Sequence, residues 1–549
     1  MENGYNSVRI DTHRLHGKAP IRPAQHVLPV IAALSVYALL AFACRGFVTD
    51  DSLITLRYAR HLASGHGIVW NVGEDPVEGY TNFSHVAVGA IALQLGLPAL
   101  SMLRALNVLG VAGLVGITYL FGFELLRSRG WASAAAFLVA GHPALAFWSV
   151  SGLETGSYAC SLLLGIWALH RRSGALASAA FLFCALTRFE GAVASVAVAA
   201  AYIGTELLSG RSAWRRLFPW MLLWCLSYGG YFAWRYAYFG YPFPNSVYYK
   251  AASHAGATLL VEFAIQTAPV LIAIPFAQWA RLGATGTALG VLLGVYVAGS
   301  YGVLPSVSYM HRFFLPVYAP SVLLACSALS RDVPSHRLAW RTARLAALLL
   351  VVGWDLVNKG SGLTTAFEQS GDKGSRMQSR ARVAAIVAQG FSPCASIAVQ
   401  DVGLIGYVLR NPLIDSFGLN DESFTHRFEL DRRRYVDNVL YRKPDGVVLV
   451  SKQSTDFVGV YFTDRLIEMD RRFREGYEHL ATVASTEEPY HYMIYARKPF
   501  VRLPDGGNAI LDADAEVKGV AGMIETLAQN TWLHQSSAAC GLSTRHDAK

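Results

Sequence analysis

The sequence predicts a polytopic α-helical membrane protein that carries a small C-terminal α/β domain. Three observations predict it. Residues are 53% hydrophobic and only 15% charged, whereas about one-quarter of a soluble chain is charged. Apolar segments long enough to cross a bilayer recur along the first part of the chain, separated by short basic clusters. Beyond about residue 358, charged stretches alternate with short apolar runs such as Ser396-Ile397-Ala398-Val399 and Val447-Val448-Leu449-Val450, the pattern of helices interleaved with buried strands. The net charge of +9, from 47 Lys+Arg against 38 Asp+Glu, is gathered between apolar runs, where it sets topology; a nucleic-acid partner is excluded on that ground. The 7 cysteines show no CxxC or Cys/His ligand spacing. Cys44, Cys160, Cys184, Cys225 and Cys326 lie in apolar runs, as small hydrophobes do.

The first span is expected at 27–48, after a tail carrying Arg9, Arg14, Lys18 and Arg22, which places the N-terminus in the cytoplasm. The tail is too long for a cleaved signal peptide, and no small-residue cleavage site precedes Thr49-Asp50-Asp51. Further spans are expected at 103–126, 131–149, 157–170, 175–188, 190–208, 217–239, 258–279, 284–301, 313–330 and 341–357, giving about eleven. The stretch 83–97 is read as an interfacial or re-entrant helix, because counting it as a span would export Arg127/Arg129, Arg171/Arg172 and Arg211/Arg215/Arg216. Residues 1–26 then form a cytoplasmic tail, and 27–357 a transmembrane domain whose first outer loop is 49–102. Residues 358–505 form the extracytoplasmic α/β domain, with its last strand in Tyr490–Ala496, and 506–549 a weakly ordered end. An oxidising compartment would permit a Cys394–Cys540 disulfide; the two are taken as unpaired, since spacing along the chain does not supply the geometry.

Ionisable residues at membrane depth are costly, which makes the outer loops the place to look for chemistry. Asp50 and Asp51 follow the first span directly: one carboxylate serves as a base while its neighbour orients it or holds a cation, unless the pair only begins the next helix. Arg57 and Arg60, three apart on one helix face, suit a phosphate or lipid headgroups. Trp70 and Tyr80 suit stacking on a sugar ring or interfacial anchoring, and Glu78 stands beside them. In the later outer loops Glu154 opens a helix, where it also suits the dipole. Arg188 and Glu190 share a turn too short to be solvated, so an internal ion pair is the alternative reading. Asn245, Tyr248 and Lys250 follow a proline-fixed aromatic stretch, and His311 and Arg312 precede the tenth span. Carboxylates and cations on one face beside a hydrophobic slab suit a substrate with a phosphate head and a lipid tail.

Asp50-Asp51-Ser52 with Arg57-Tyr58-Ala59-Arg60, Gly65-His66-Gly67-Ile68-Val69-Trp70-Asn71, Glu78-Gly79-Tyr80-Thr81, Ser151-Gly152-Leu153-Glu154-Thr155, Thr187-Arg188-Phe189-Glu190-Gly191, Phe239–Ser246, Asp401-Val402-Gly403 and Ile414–Asp421 stand in an order that resembles a known family. It is that of the GT-C membrane glycosyltransferases using polyprenyl-phosphate sugars, and within them the mycobacterial terminal arabinofuranosyltransferases and their bacterial relatives. The resemblance runs over residues 30–425 and departs at Phe189, where usual members have proline. It implies a GT-C fold with juxtamembrane helices in the first outer loop, a soluble outer domain at the C-terminus, and a multi-pass protein of the bacterial inner membrane. It also implies a catalytic acid in the first outer loop, carried onto Asp50 or Asp51 without deciding between them.

The reading that follows is transfer of a sugar, D-arabinofuranose first, from a polyprenyl phosphate to a hydroxyl of a cell-envelope glycan or glycoprotein. Asp50 is preferred as base with Asp51 supporting it. Arg57, Arg60, Arg188, Lys250, His311 and Arg312 are assigned to the donor phosphate, and Trp70, Glu78, Tyr80, Glu154, Glu190, Asn245 and Tyr248 to sugar or acceptor. The expected partners are membrane lipid, the polyprenyl-phosphate donor and the acceptor; no cofactor is assigned, and a divalent metal is permitted but not implied. The alternatives are the same scaffold with mannose or aminoarabinose, and a lipid-linked sugar flippase. A flippase predicts repeats and polar residues running through the bilayer, which the sequence does not show.

Overall fold

The computed structural model describes residues 24–251, 256–300, 309–330, 377–426, 432–484, 490–500 and 519–535, with single positions between 353 and 368. The first part is helical throughout. Helix α1 (Ala24–Ala43) is followed by α2 (Asp50–Ala63), α3 (Phe83–Gln94) and the long α4 (Ala99–Leu126). Helices α5 (Arg129–Ala140) and α6 (Pro143–Ser149) form a pair bent by 56° at Pro143, which supplies no amide to continue the first helix. Then come α7 (Thr155–His170), α8 (Gly174–Thr187), α9 (Phe189–Leu208), α10 (Ala213–Phe239) and the short α11 (Asn245–Ala251). Helices α12 (Gly256–Gln266) and α13 (Ala268–Ala273) are again a bent pair, at 81°, with Pro269 beside the break. Helices α14 (Trp279–Gly299) and α15 (Leu315–Leu329) complete the body.

Each segment read as a span is occupied by a helix or a bent pair, apart from 341–357, of which only isolated positions are described. By length and composition, 5 helices qualify to cross a membrane among the described residues, or 7 if each bent pair counts as one. Helix α3 has 12 residues, below the roughly 20 that a span needs, and packs on α2 and α4. That is the juxtamembrane character expected of 83–97.

The contact that sets the N-terminal end of α7 is a close approach to α4. A Cβ on Gly156 would overlap the Asn107 carbonyl, and one on Gly110 would lie 2.5 Å from the Ser157 amide. Small residues let the two backbones touch, as interfaces between membrane helices require. Asn107 Oδ1 then accepts from the Ser157 amide at 3.2 Å.

The C-terminal part contains the helical stretch α16 (377–390), β1 (Ile397–Val399), α17 (Val402–Val408), β2 (Leu413–Asp415), α18 (Arg432–Leu440), β3 (Gly446–Ser451), α19 (Phe462–Met469), α20 (Arg471–Gly476), β4 (Tyr477–Val483), β5 (His491–Arg497) and α21 (Gly519–Gln535). The strands form one sheet in the order β2-β1-β3-β5-β4. β1 runs parallel to β2 and β3, while β5 pairs antiparallel with β3 and β4. The apolar runs at 396–399 and 447–450 and the expected last strand therefore fall in β1, β3 and β5. Two expectations are corrected. The end of the chain is not weakly ordered throughout: α21 buries Ile524, Leu527 and Ala528 and is held to α4 by Glu525, whose Oε1 accepts from the Ser101 amide at 3.0 Å. Its apolar face was hidden in the sequence by the polar residues around it. Cys394 is disulfide-bonded rather than free, with a partner outside the described residues; the fold supplies a proximity that cysteine spacing does not reveal.

In the C-terminal unit Asp464, in the first turn of α19, is fully buried. Its Oδ2 accepts from the Val450 amide at 2.8 Å, and its Oδ1 has no hydrogen-bond partner among the described residues. Burial, with Asp401 nearby, pushes its acid up to about 8 from 3.8. The folded state therefore holds a proton that the unfolded state has released between those values, and stability falls as pH rises through that window, by about 1.4 kcal/mol per pH unit. Asp464→Asn is expected to flatten this slope between pH 5 and 8, read as thermal unfolding in detergent at stepped pH. Equal slopes in variant and wild type would refute the assignment.

Candidate active site

Where the helical body meets the C-terminal unit lies a partly open cavity of about 70 Å³. Its walls come from Asp51, Ile54 and Thr55 of α2, Gly79–Asn82, Leu153 and Glu154 ahead of α7, Arg188, Ser246 of α11, Arg312-Phe313, and Leu419 of the C-terminal unit. Glu154 organises the floor. Its Oε1 accepts from Arg312 Nη2 at 2.6 Å and faces Arg188 Nη1 at 3.5 Å, while its Oε2 accepts from Asn82 Nδ2 at 2.9 Å. Thr55 Oγ1 donates to Asn82 Oδ1 at 3.0 Å, which fixes the amide's orientation. Arg188 is also held by Glu190, whose Oε1 accepts from its Nε at 2.6 Å and its Nη2 at 2.5 Å. The Arg188 guanidinium lies 4.7 Å over the Phe313 ring, and that of Arg312 lies 5.2 Å over Trp148. Both cations are thus oriented from several sides.

Among the described residues, three polar groups of the lining have no hydrogen-bond partner: the Tyr80 hydroxyl, the Ser246 hydroxyl and Arg188 Nη1, which is only in ion-pair range of Glu154. A buried polar group without a partner is costly, so each marks a point where a ligand's oxygen fits. Asp51, the exposed member of the acidic pair, adds a carboxylate.

Asp50 points elsewhere. Its carboxylate accepts from the amides of Gly403 at 2.8 Å and Leu404 at 2.9 Å, and faces Arg380 at 3.4 Å. Burial raises its acid, with Arg380 opposing and Asp401 reinforcing. Asp401 is held low by Arg380 and by the Tyr490 and Tyr492 hydroxyls, which outweigh its burial.

Several residues assigned from sequence to the donor lie outside the cavity. Arg57 donates to the carbonyls of Trp70 (2.8 Å), Gly406 (2.6 Å), Leu409 (3.1 Å) and Asn411 (3.0 Å) and to Asn71 Oδ1 (3.0 Å). Arg60 donates to the Tyr407 carbonyl and stacks 4.0 Å over the Tyr407 ring. The two do share a helix face, but that face meets α17 and the segment after it: Arg57 is held by carbonyls there, by the Trp70 carbonyl and by Asn71, and Arg60 by the Tyr407 carbonyl and ring. Trp70 is buried beneath Arg57 and donates to the Leu413 carbonyl at 3.3 Å, so it fastens the C-terminal unit instead of facing a sugar. His311 lies beside Phe263, and Lys250 falls where side chains are outside the description.

Among the sugar and acceptor candidates, Tyr80 and Glu154 line the cavity and Glu190 stands behind Arg188. Glu78 is buried against Arg235, whose Nε lies 2.8 Å from its Oε1. Asn245 Nδ2 donates to the carbonyls of Gly418 and Leu419, both at 3.0 Å, which holds the loop that carries Leu419 against α11. The Tyr248 ring packs edge-on against His426. Sequence reasoning assigned no role to Thr55, Asn82, Ser246, Phe313 or Leu419. Arg235 had a signal, an arginine inside an apolar span, that was not used. Among the described residues no group of three or more His, Cys, Asp or Glu is placed to hold a metal.

A polytopic helical body with juxtamembrane helices, and a small mixed sheet set over one end, defines the GT-C fold class. The solved structure of ArnT from Cupriavidus metallidurans in the apo state shares this fold: it matches 86% of this chain and 97% of its own, at 17% identity and a TM-score of 0.54. The same protein bound to undecaprenyl phosphate matches 86% and 98%, at 16% identity and a TM-score of 0.51. A family model described as a domain of unknown function (DUF8728) matches residues 370–495, the sheet region. No curated protein matches.

Proposed function

We propose that this chain is a glycosyltransferase of the inner membrane, which moves a sugar from a polyprenyl phosphate to an acceptor hydroxyl. The observation that carries this is the cavity, where the Asp51 carboxylate and the guanidiniums of Arg188 and Arg312 line one space at an end of an apolar body. Its likeness to ArnT, solved with undecaprenyl phosphate, supports a lipid-linked donor. In this reading the cavity and the C-terminal unit, 358–505 together with α21, are on the outer face and the N-terminus is cytoplasmic. Asp51 takes the proton of the acceptor hydroxyl as its oxygen bonds to the anomeric carbon. The bond from that carbon to the phosphate oxygen breaks, and the polyprenyl phosphate leaves with the electron pair. Arg188 Nη1 and Arg312 stabilise the phosphate, while the Tyr80 hydroxyl binds the sugar.

The sugar is D-arabinofuranose on the motif resemblance, or aminoarabinose on the likeness to ArnT, an aminoarabinose transferase. The acceptor is a hydroxyl of an envelope glycan or glycoprotein. The test is sugar transfer by the purified chain in detergent, with radiolabelled polyprenyl-phosphoryl arabinofuranose and aminoarabinose and isolated envelope glycan as acceptor. Labelled product from one donor establishes class and sugar together. Donor binding without turnover, followed by donor movement across vesicles, would establish a flippase and overturn the transferase reading.

A further inference from the structure

Helices α2 and α17 run side by side in the same direction, and two charges on α2 grip both ends of α17. Asp50 accepts from the first-turn amides of Gly403 and Leu404, and Arg57 donates to the carbonyls of Gly406 and Leu409 at the other end. Seven residues separate Asp50 from Arg57, two helical turns or about 10 Å. Helix α17 is itself 7 residues long. Each charge meets the pole of α17 that attracts it, the carboxylate at the amides and the guanidinium at the carbonyls.

The fit leaves no spare room. A Cβ on Gly403 would overlap the Asp50 carbonyl and its carboxyl carbon. Arg380, which faces Asp50, is itself fixed 3.1 Å from Asp401 and by the Tyr492 hydroxyl at 2.9 Å. Successive positions on a helix point about 100° apart, so a side chain fixed at position 50 settles the direction of the one at 51.

Resting on the reading of Asp51 as the base, we propose that Asp50 is a positioning residue, through which α17 and Arg380 of the C-terminal unit hold the start of α2 so that Asp51 is presented to the cavity. The soluble unit then has a part in catalysis without supplying the base.

Two measurements on the full chain test this. The first is hydrogen exchange of the opening turn of α2 in wild type, Asp50→Asn and Gly403→Ala. Exchange is expected to rise about tenfold in both variants, the equivalent of one lost charge–dipole contact, while the start of α7 is unchanged. Should Gly403→Ala not fold, Arg380→Gln, which removes the 3.4 Å contact, replaces it. The second is turnover with the two radiolabelled donors. Both variants are expected to lower kcat by up to about a hundredfold with donor KM unchanged, and the double variant to be no worse than the poorer single one. Unaltered exchange, or wild-type kcat in variants whose exchange has risen, overturns the proposal. So does an Asp50→Asn chain as dead as Asp51→Asn beside a fully active Gly403→Ala. An active Asp51→Asn, or no turnover with either donor, removes the underlying reading instead, and the exchange result then decides the grip on α2 alone.

Discussion

Replacing Asp51 with asparagine is expected to lower kcat for sugar transfer by about 10²–10⁴-fold, the contribution of a positioned general base, with donor binding retained. The substitution keeps the shape of the side chain and removes its charge. Asp51 is exposed at the cavity and makes no ion pair among the described residues, so little structure depends on it. Losing one negative charge from the first turn of α2 costs about 0.3–1 kcal/mol, too little to unfold the chain. Turnover and binding of radiolabelled donor, measured on the same preparation, separate the two effects. A variant with near-wild-type kcat would show that the proton goes elsewhere.

Glu154→Ala is expected to cost about 3–5 kcal/mol, the penalty for removing one partner of a buried ion pair. Arg188 and Arg312 have side chains only 4% and 8% exposed, and both depend on this carboxylate. Without it Arg312 keeps its 3.3 Å contact to Thr155 and the Trp148 face, neither of which carries charge. Arg188 keeps Glu190, so Arg312 is left the more exposed to the loss. Removing that cation as well, in Glu154→Ala/Arg312→Leu, should recover part of the stability while abolishing donor binding. Thermal unfolding in detergent reads the first effect and labelled donor the second. A single variant within 1 kcal/mol of wild type would mean that the two guanidiniums do not need Glu154.

The helices were legible because their signal is local: runs of apolar residues report a span without knowledge of neighbours, although the bends at Pro143 and beside Pro269 were not read and 131–149 and 258–279 were taken as single spans. The strands β1, β3 and β5 were legible for the same reason. What the sequence withheld was direction. The acidic pair was found, but which carboxylate faces the cavity depends on α17, more than 350 residues along the chain from Asp50. Arg57 and Arg60 were found as a pair on one face, yet nothing local says that the face meets backbone carbonyls instead of a phosphate. Asn82 lay beside recognised residues and was passed over, because an amide earns attention only when its two partners, Thr55 and Glu154, are known. Polar chemistry was visible as composition; its pairing is a property of the assembled fold.

The cavity wall runs in sequence from Asp51 to Leu419. A ribosome feeding this chain into a membrane delivers the carboxylate of the cavity early and the last wall very late, with most of the body inserted in between. A nascent chain halted before Val402 therefore carries its acid and both cavity arginines but lacks the last wall, and it has no α17 to steady the start of α2. The cavity is therefore among the last features of the fold to be completed as the chain is made.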